Sequence, residues 1–130
     1  MVIDSSALIA LLLGEAETVG FVAAIAAAST RVVNAPTYVE TAIVIVARLG
    51  LEAKEQLDQL LRELAIEIVP FTRDQAAIAV LAYRQYGKGG GHGAGSNFGD
   101  CFTYALAKSR DDPVLFKGND FARTDLQIAR

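Results

Sequence analysis

Four short β-rich runs in this chain, residues 1–4, 31–34, 66–71 and 113–116, are separated from one another by helical segments. No two of them are close enough in sequence to pair through a tight hairpin turn, so the spacing predicts a parallel sheet covered by helices on both faces. The helical segments carry their own punctuation. Asp4, Ser5 or Ser6 can cap a helix over 5–13 that Gly14 stops. Residues 16–28 are Ala-rich and helical by propensity. Pro36 suits the first turn of a helix that Gly50 ends. Leu57, Leu60, Leu61 and Leu64 fall between charges over 51–65 and describe an amphipathic helix. Further helices are predicted over 73–86 and 98–110, with a short helical turn over 120–123 and a last edge strand over 126–128. A glycine-rich stretch over 86–97 reads as a flexible flap. The expected architecture is α/β, one domain over residues 1–130 with its parallel sheet sandwiched between helices.

Four carboxylates interrupt or end apolar stretches in this layout. Asp4 closes Met1-Val2-Ile3, and Glu40 is the one charge in residues 37–47. Asp100 lies in Asn97-Phe98-Gly99-Asp100-Cys101-Phe102, and Asp120 follows Lys117-Gly118-Asn119. Asp4 and Asp120 follow predicted strands, while Glu40 and Asp100 are placed in the first turns of helices. In parallel α/β sheets ligands bind beyond the carboxyl ends of the strands, which brings all four to one edge. An unpaired carboxylate is costly to desolvate. A hard divalent cation such as Mg²⁺ binds carboxylates, phosphates and water, and would hold such acids together. Each acid also has a plain structural reading: Asp4 and Asp100 as helix caps or first-turn acids, Glu40 as a solvated helix residue, Asp120 as a turn residue. The case for a metal rests on their joint occurrence.

Composition excludes several classes. The chain is 52% hydrophobic and 21% charged, which suggests apolar surface for a partner as well as a core. No apolar run approaches the roughly 20 residues of a membrane span, so no membrane role is expected. The N-terminus does not read as a signal peptide, and a lone Cys101 fits a reducing compartment such as the cytoplasm. A net charge of −3 argues against a broad nucleic-acid surface but not against a small metal site that receives phosphate. The single His92 makes a histidine zinc site improbable and reads as a solvated loop residue. Cys101 reads as a structural thiol. Asp111-Asp112 reads as a polar turn, and Asp74 and Asp125 as first-turn or capping acids, the latter with Thr124. Lys88, Lys117 and Arg123 are either guides for a phosphate backbone or solvated surface charges.

The segments Val2-Ile3-Asp4-Ser5-Ser6-Ala7-Leu8, Pro36-Thr37-Tyr38-Val39-Glu40, Phe98-Gly99-Asp100-Cys101-Phe102-Thr103-Tyr104-Ala105-Leu106-Ala107 and Leu115-Phe116-Lys117-Gly118-Asn119-Asp120-Phe121 resemble those of PIN-domain proteins. The resemblance is to the VapC-type ribonuclease toxins of type II toxin–antitoxin systems and runs along nearly the whole chain. It implies a Mg²⁺- or Mn²⁺-dependent endoribonuclease, a homodimer, an RNA substrate and a cognate VapB-type antitoxin whose C-terminal segment crosses the active-site groove. The family's acidic quartet falls on Asp4, Glu40, Asp100 and Asp120, with Ser6 as the small hydroxyl near the metal. Asn119 or Asp125 could assist or replace Asp120. Asp4 and Asp100 are assigned as the main metal ligands, with Glu40 and Asp120 completing the shell, holding a second ion or orienting water.

Other classes fit less well. A phospho-acceptor receiver domain needs an Asp ending a middle strand, which neither 31–34 nor 66–71 supplies. A haloacid-dehalogenase-type phosphatase needs an Asp two positions after Asp4, where this chain has Ser6. The rival that remains is a catalytically silent PIN-like binding module, which a metal-dependent cleavage assay separates from a nuclease. The apolar surplus is expected on the first two helices, with the antitoxin in a groove between the early helices.

Overall fold

The structure is a computed structural model that describes residues 1–89, 93 and 95–129. Strand β1 is Val2–Ile3 and is followed by α1 (Ser5–Leu12) and α2 (Thr18–Ala27). Strand β2 (Val32–Asn34) leads directly into α3 (Ala35–Leu49) and then α4 (Ala53–Glu63). Strand β3 (Glu67–Val69), α5 (Arg73–Tyr86), α6 (Asp100–Arg110) and β4 (Val114–Leu115) complete the order. The strands form one parallel sheet in the order β3-β2-β1-β4.

Two-residue alternation distributes the strands' side chains between two cores. Ile3, Val33 and Leu115 face α1 to α4, packing with Leu8, Ile25, Ile45 and Leu57. Val2, Val32 and Val114 face the other way, packing with Tyr86, Tyr104, Leu106 and Phe121. The sheet is therefore the middle layer of a sandwich, as its apolar strands require. Helix α3 shows why the early elements close tightly. Thr37, Thr41 and Ile45 recur every four residues along its buried stripe, and Gly50, at φ +94°, ends it in a conformation that side chains avoid.

Several boundaries differ from expectation for identifiable reasons. Helix α6 begins at Asp100, because Phe98 and Gly99 form a turn ahead of it. Glu40 lies in the second turn of α3, because the helix starts at Ala35, immediately after β2. Residues 126–128 do not form a strand: a single parallel bridge joins Ile128 to Val114. Residues 120–123 form a turn closed by the Ala122 N–H on the Asn119 carbonyl. The expected flap falls partly on Gly90, Gly91, His92 and Ala94, which lie outside the described residues, as does Arg130; the rest of it includes a parallel bridge between Gly87 and Ser96.

The apolar surplus is placed differently from expectation. Helix α1 buries Ala7, Leu8, Ala10 and Leu11, although Val19 and Val22 of α2 are exposed. More of the large exposed apolar residues lie elsewhere: Val39 and Ile43 on α3, Val80 and Leu81 on α5, and Phe98 before α6. Among the described residues no helix is long and apolar enough to cross a membrane.

Candidate active site

The chain leaves β1 towards β2 on one side, and returns much later to lay β4 on the other side of β1. The carboxyl ends of β1 and β4 thus mark the point where strand order reverses, the usual crevice of an open α/β sheet. Asp4 stands there. Its backbone N–H donates to the Leu115 carbonyl of β4 at 3.0 Å, and its side chain caps α1. The cap reading and the site reading of Asp4 are therefore compatible.

The two oxygens of Asp4 have different surroundings. Oδ2 accepts from the Ser6 N–H at 3.0 Å and the Ser6 hydroxyl at 2.7 Å. Oδ1 accepts from the Thr103 hydroxyl of α6 at 2.6 Å. A carboxylate has about four lone-pair sites, so these three bonds leave one, on Oδ1. Ser6 is itself fixed, since its hydroxyl accepts from the Lys117 N–H at 2.9 Å, tying α1 to the segment after β4.

Asp100 opens α6 and is 6% exposed, while Asp4 is 3% exposed. The Asn97 N–H donates to Asp100 Oδ2 at 2.8 Å, and the Asp100 N–H donates back to Asn97 Oδ1 at 3.0 Å. This reciprocal pair serves the helix start as a capping box does. It does not offset the cost of burial. Burial raises the Asp100 pKa from 3.8 to about 8; the Asn97 N–H opposes this, while the charges of Asp4 and Asp120 and a hydrogen bond with Asp120 add to it. Burial therefore favours the protonated form of Asp100 in the metal-free site, next to two other acids.

Glu40 approaches from α3. A Cβ at position 99 would overlap the Glu40 carboxylate, so that carboxylate lies against the Gly99 backbone, one residue from Asp100. Asp120 sits in the turn after β4, with its backbone carbonyl accepting from the Ser96 hydroxyl at 3.4 Å. The four acids thus come from α1's cap, α3, the start of α6 and the loop after β4. Asp100 is the member that Asp4 and Asp120 both influence.

The remaining candidates have other partners or roles. Asp125 is not a capping acid: it accepts from the Tyr104 hydroxyl at 2.7 Å and from Lys108 Nζ at 2.8 Å, on the later turns of α6. Asn119 is exposed, and its carbonyl serves the turn to Ala122. Lys117 is neither a free surface charge nor a free guide, because Glu15 and Glu17 pair with it. Burial, with the nearby Asp100 charge, pushes the Cys101 thiol up to about 11, which suits a structural thiol. Thr103 and Asn97 are the residues that sequence reading passes over. Each lies three positions from Asp100, the spacing that puts side chains on one helix face or into a reciprocal cap.

The donor set is all oxygen and contains three mutually repelling acids, which suits a hard divalent cation. Among the described residues, however, no three potential ligands are gathered closely enough to form a ready cage. That combination fits Mg²⁺, which is usually held by one or two carboxylates while water and substrate phosphate fill the other positions.

Comparison with known proteins gives one family. The PIN domain model matches residues 1–126. Ribonuclease VapC30 of Mycobacterium tuberculosis is 48% identical over 126 residues, covering 97% of this chain and 95% of that protein. Ribonuclease VapC of Mycolicibacterium smegmatis is 47% identical over 126 residues, covering 97% of both. The crystal structure of Mycobacterium tuberculosis VapC20, described as a sarcin-ricin loop cleaving toxin, aligns with a TM-score of 0.79 at 16% identity, covering 99% of this chain and 98% of that one. The expected parallel sandwich is thus the fold observed, and the chain belongs to the PIN-domain family, among the VapC ribonucleases.

Proposed function

We propose that this protein is the endoribonuclease toxin of a VapBC-type pair, and that it hydrolyses RNA phosphodiester bonds at the Asp4–Glu40–Asp100–Asp120 corner with a divalent cation. The observation that carries the reading is the buried Asp100 with Asp4 and Asp120 as its charged neighbours and a pKa raised to about 8. Kinship with ribonucleases at 47–48% identity supplies the reaction class.

Asp4, through the remaining lone pair on Oδ1, and Asp100, once it loses its proton, would hold Mg²⁺ or Mn²⁺. When bound, the cation supplies charge neutralisation at phosphorus and lowers the pKa of a nucleophilic water. Thr103 and Ser6 hold the Asp4 carboxylate in one orientation. Such supporting bonds commonly matter about 10- to 100-fold for affinity or activity. Glu40 and Asp120 flank Asp100 and would complete the shell or orient the attacking water. No protein nucleophile is required, and the Cys101 thiol stays protonated.

A homodimer and an antitoxin belong to the same reading. The groove between α1 and α4, about 650 Å³, has Leu11, Leu12 and Leu60 in its lining and Glu52, Glu55 and Glu63 beside them. That chemistry suits an apolar helix with basic flanks, from which a chain could extend to the acidic corner.

The test is cleavage by purified protein. RNA should be cut with Mg²⁺ or Mn²⁺, EDTA should stop the reaction, and Asp4→Asn should be inactive. Cleavage that persists in EDTA, with contaminating nuclease excluded, would sink the metal mechanism. A protein inert with either ion would be a silent binding module.

A further inference from the structure

Phe98 leaves 73% of its surface in solvent, an unusual position for a large aromatic ring two residues from a buried acid. The ring is nevertheless braced. Its centroid lies 5.0 Å from that of Phe102 in an edge-to-face contact, and Phe102 is braced in turn by Phe71 at 5.2 Å. A flat apolar surface is thus held in place before α6 with most of its area open.

Two clefts flank this ring. One, of about 380 Å³, runs along α5 past Phe71, Val80 and Tyr83 and has no charged group in its lining. The other, of about 480 Å³, is lined by Val39, Ile43, Phe98, Gly99 and Phe102, with Glu40 as its one charged residue. The second cleft meets the acidic corner through Glu40, which lines it and whose carboxylate lies against Gly99, the residue before Asp100. Phe98 and Asp100 are separated by two peptide units, a reach of under about 7.6 Å between their Cα atoms.

We propose that Phe98 is a stacking platform for an unpaired base of the RNA, positioned so that the phosphate of the same or the adjoining nucleotide meets Asp4 and Asp100. The proposal rests on the ribonuclease reading and adds a residue that helps to choose where the strand is cut. A nucleotide is the occupant whose chemistry matches both halves, with an anionic phosphate for the cation site and a flat ring for the aromatic. Lys117 adds little hold on the strand, since Glu15 and Glu17 engage it, and the chain carries a net −3. Stacking on an aromatic side chain supplies the missing affinity and needs a base free of its helix.

The chain has no tryptophan, so Phe98→Trp introduces a single fluorescent reporter at the platform. With Mg²⁺, Phe98→Ala should raise KM about tenfold with kcat little changed, and Phe98→Trp should restore KM. An abasic nucleotide at the stacked position should raise KM for the wild type but not for Phe98→Ala. In EDTA, a short unpaired RNA should quench the indole emission of Phe98→Trp and its abasic counterpart should not. An unchanged KM in Phe98→Ala, or equal abasic penalties in both proteins, overturns the proposal while leaving the nuclease reading intact. If the wild type cleaves nothing, the nuclease reading fails, and the quenching alone decides whether position 98 stacks bases. Emission that follows protein concentration and ignores RNA means a second copy covers the ring, which also overturns the proposal.

Discussion

Helix α6 carries a carboxylate site at each end, and the two are built on opposite principles. Near its C-terminal end, Asp125 accepts from the Tyr104 hydroxyl and from Lys108, and its pKa is lowered, chiefly by the Lys108 contact and then by Tyr104. At its N-terminal end, Asp100 is buried with Asp4 and Asp120 as its charged neighbours, and its pKa is raised to about 8. One site carries its own cation. The other gathers anions, and among the described residues no salt bridge joins Asp100 to a cationic side chain. A fold that needed only a helix start at residue 100 could use the Asn97 pair without two more acids beside it. The contrast is the physical basis for reading the N-terminal end as functional and the C-terminal end as structural.

The largest expected effect comes from removing the charge that gathers without a partner. Asp100→Asn should lower RNA cleavage by about 10²- to 10⁴-fold, since a catalytic cation contributes several kcal/mol of transition-state stabilisation. Its metal-free melting temperature should be little changed near pH 7, where the raised pKa already favours neutral Asp100, and higher above about pH 8, where the substitution removes a repelling charge. A large loss of metal-free stability would instead make Asp100 structural and erase the difference between the two ends.

Thr103→Val tests how the corner is held. The variant keeps the shape but removes the donor to Asp4 Oδ1. Cleavage should fall about 10- to 100-fold, and stability by about 1–3 kcal/mol, while Thr103→Ser should recover most of the activity. Equal cleavage by Thr103→Val and the wild type would show that Asp4 needs no support from α6.

Asp125→Asn should have the smallest effect. The half-exposed ion pair with Lys108 adds little, and the Tyr104 bond is worth about 1 kcal/mol. Cleavage should be unaltered. The pH signs of the two ends should also differ. Asp125, with its lowered pKa, contributes stability that is present above the ordinary carboxylate range and lost as pH falls through its folded value. Asp100, with its raised pKa, contributes metal-free stability that is fully present below pH about 4 and lost as pH rises through about 8. Thermal melts of wild type and Asp125→Asn across this range, in EDTA, read both slopes.

The same contrast marks what can be read from the sequence. Local signals survive folding well: α5 spans residues 73–86 as predicted, Gly50 ends α3, and Asp4 follows the first strand. These depend on periodicity, caps and turn residues, which act over a few positions. The contact of Thr103 with Asp4 spans 99 positions, and no local pattern encodes it. Asp125 departs from its expected capping role for the same reason, since its partners Lys108 and Tyr104 lie 17 and 21 residues before it. The terminal strand reduces to one bridge because Ile128 alone pairs with Val114.

Proton release on metal binding tests most directly whether the N-terminal end of α6, where no salt bridge to Asp100 is found among the described residues, takes a divalent cation. Mn²⁺ should be titrated calorimetrically into metal-free protein near pH 7, in buffers of different ionisation enthalpy. Binding should be saturable and should expel close to one proton, because Asp100 must ionise before it can act as a ligand. Asp125→Asn should behave like the wild type, and Asp100→Asn should lose both the proton release and most of the affinity. Binding without proton release, or equal binding by wild type and Asp100→Asn, would contradict the account.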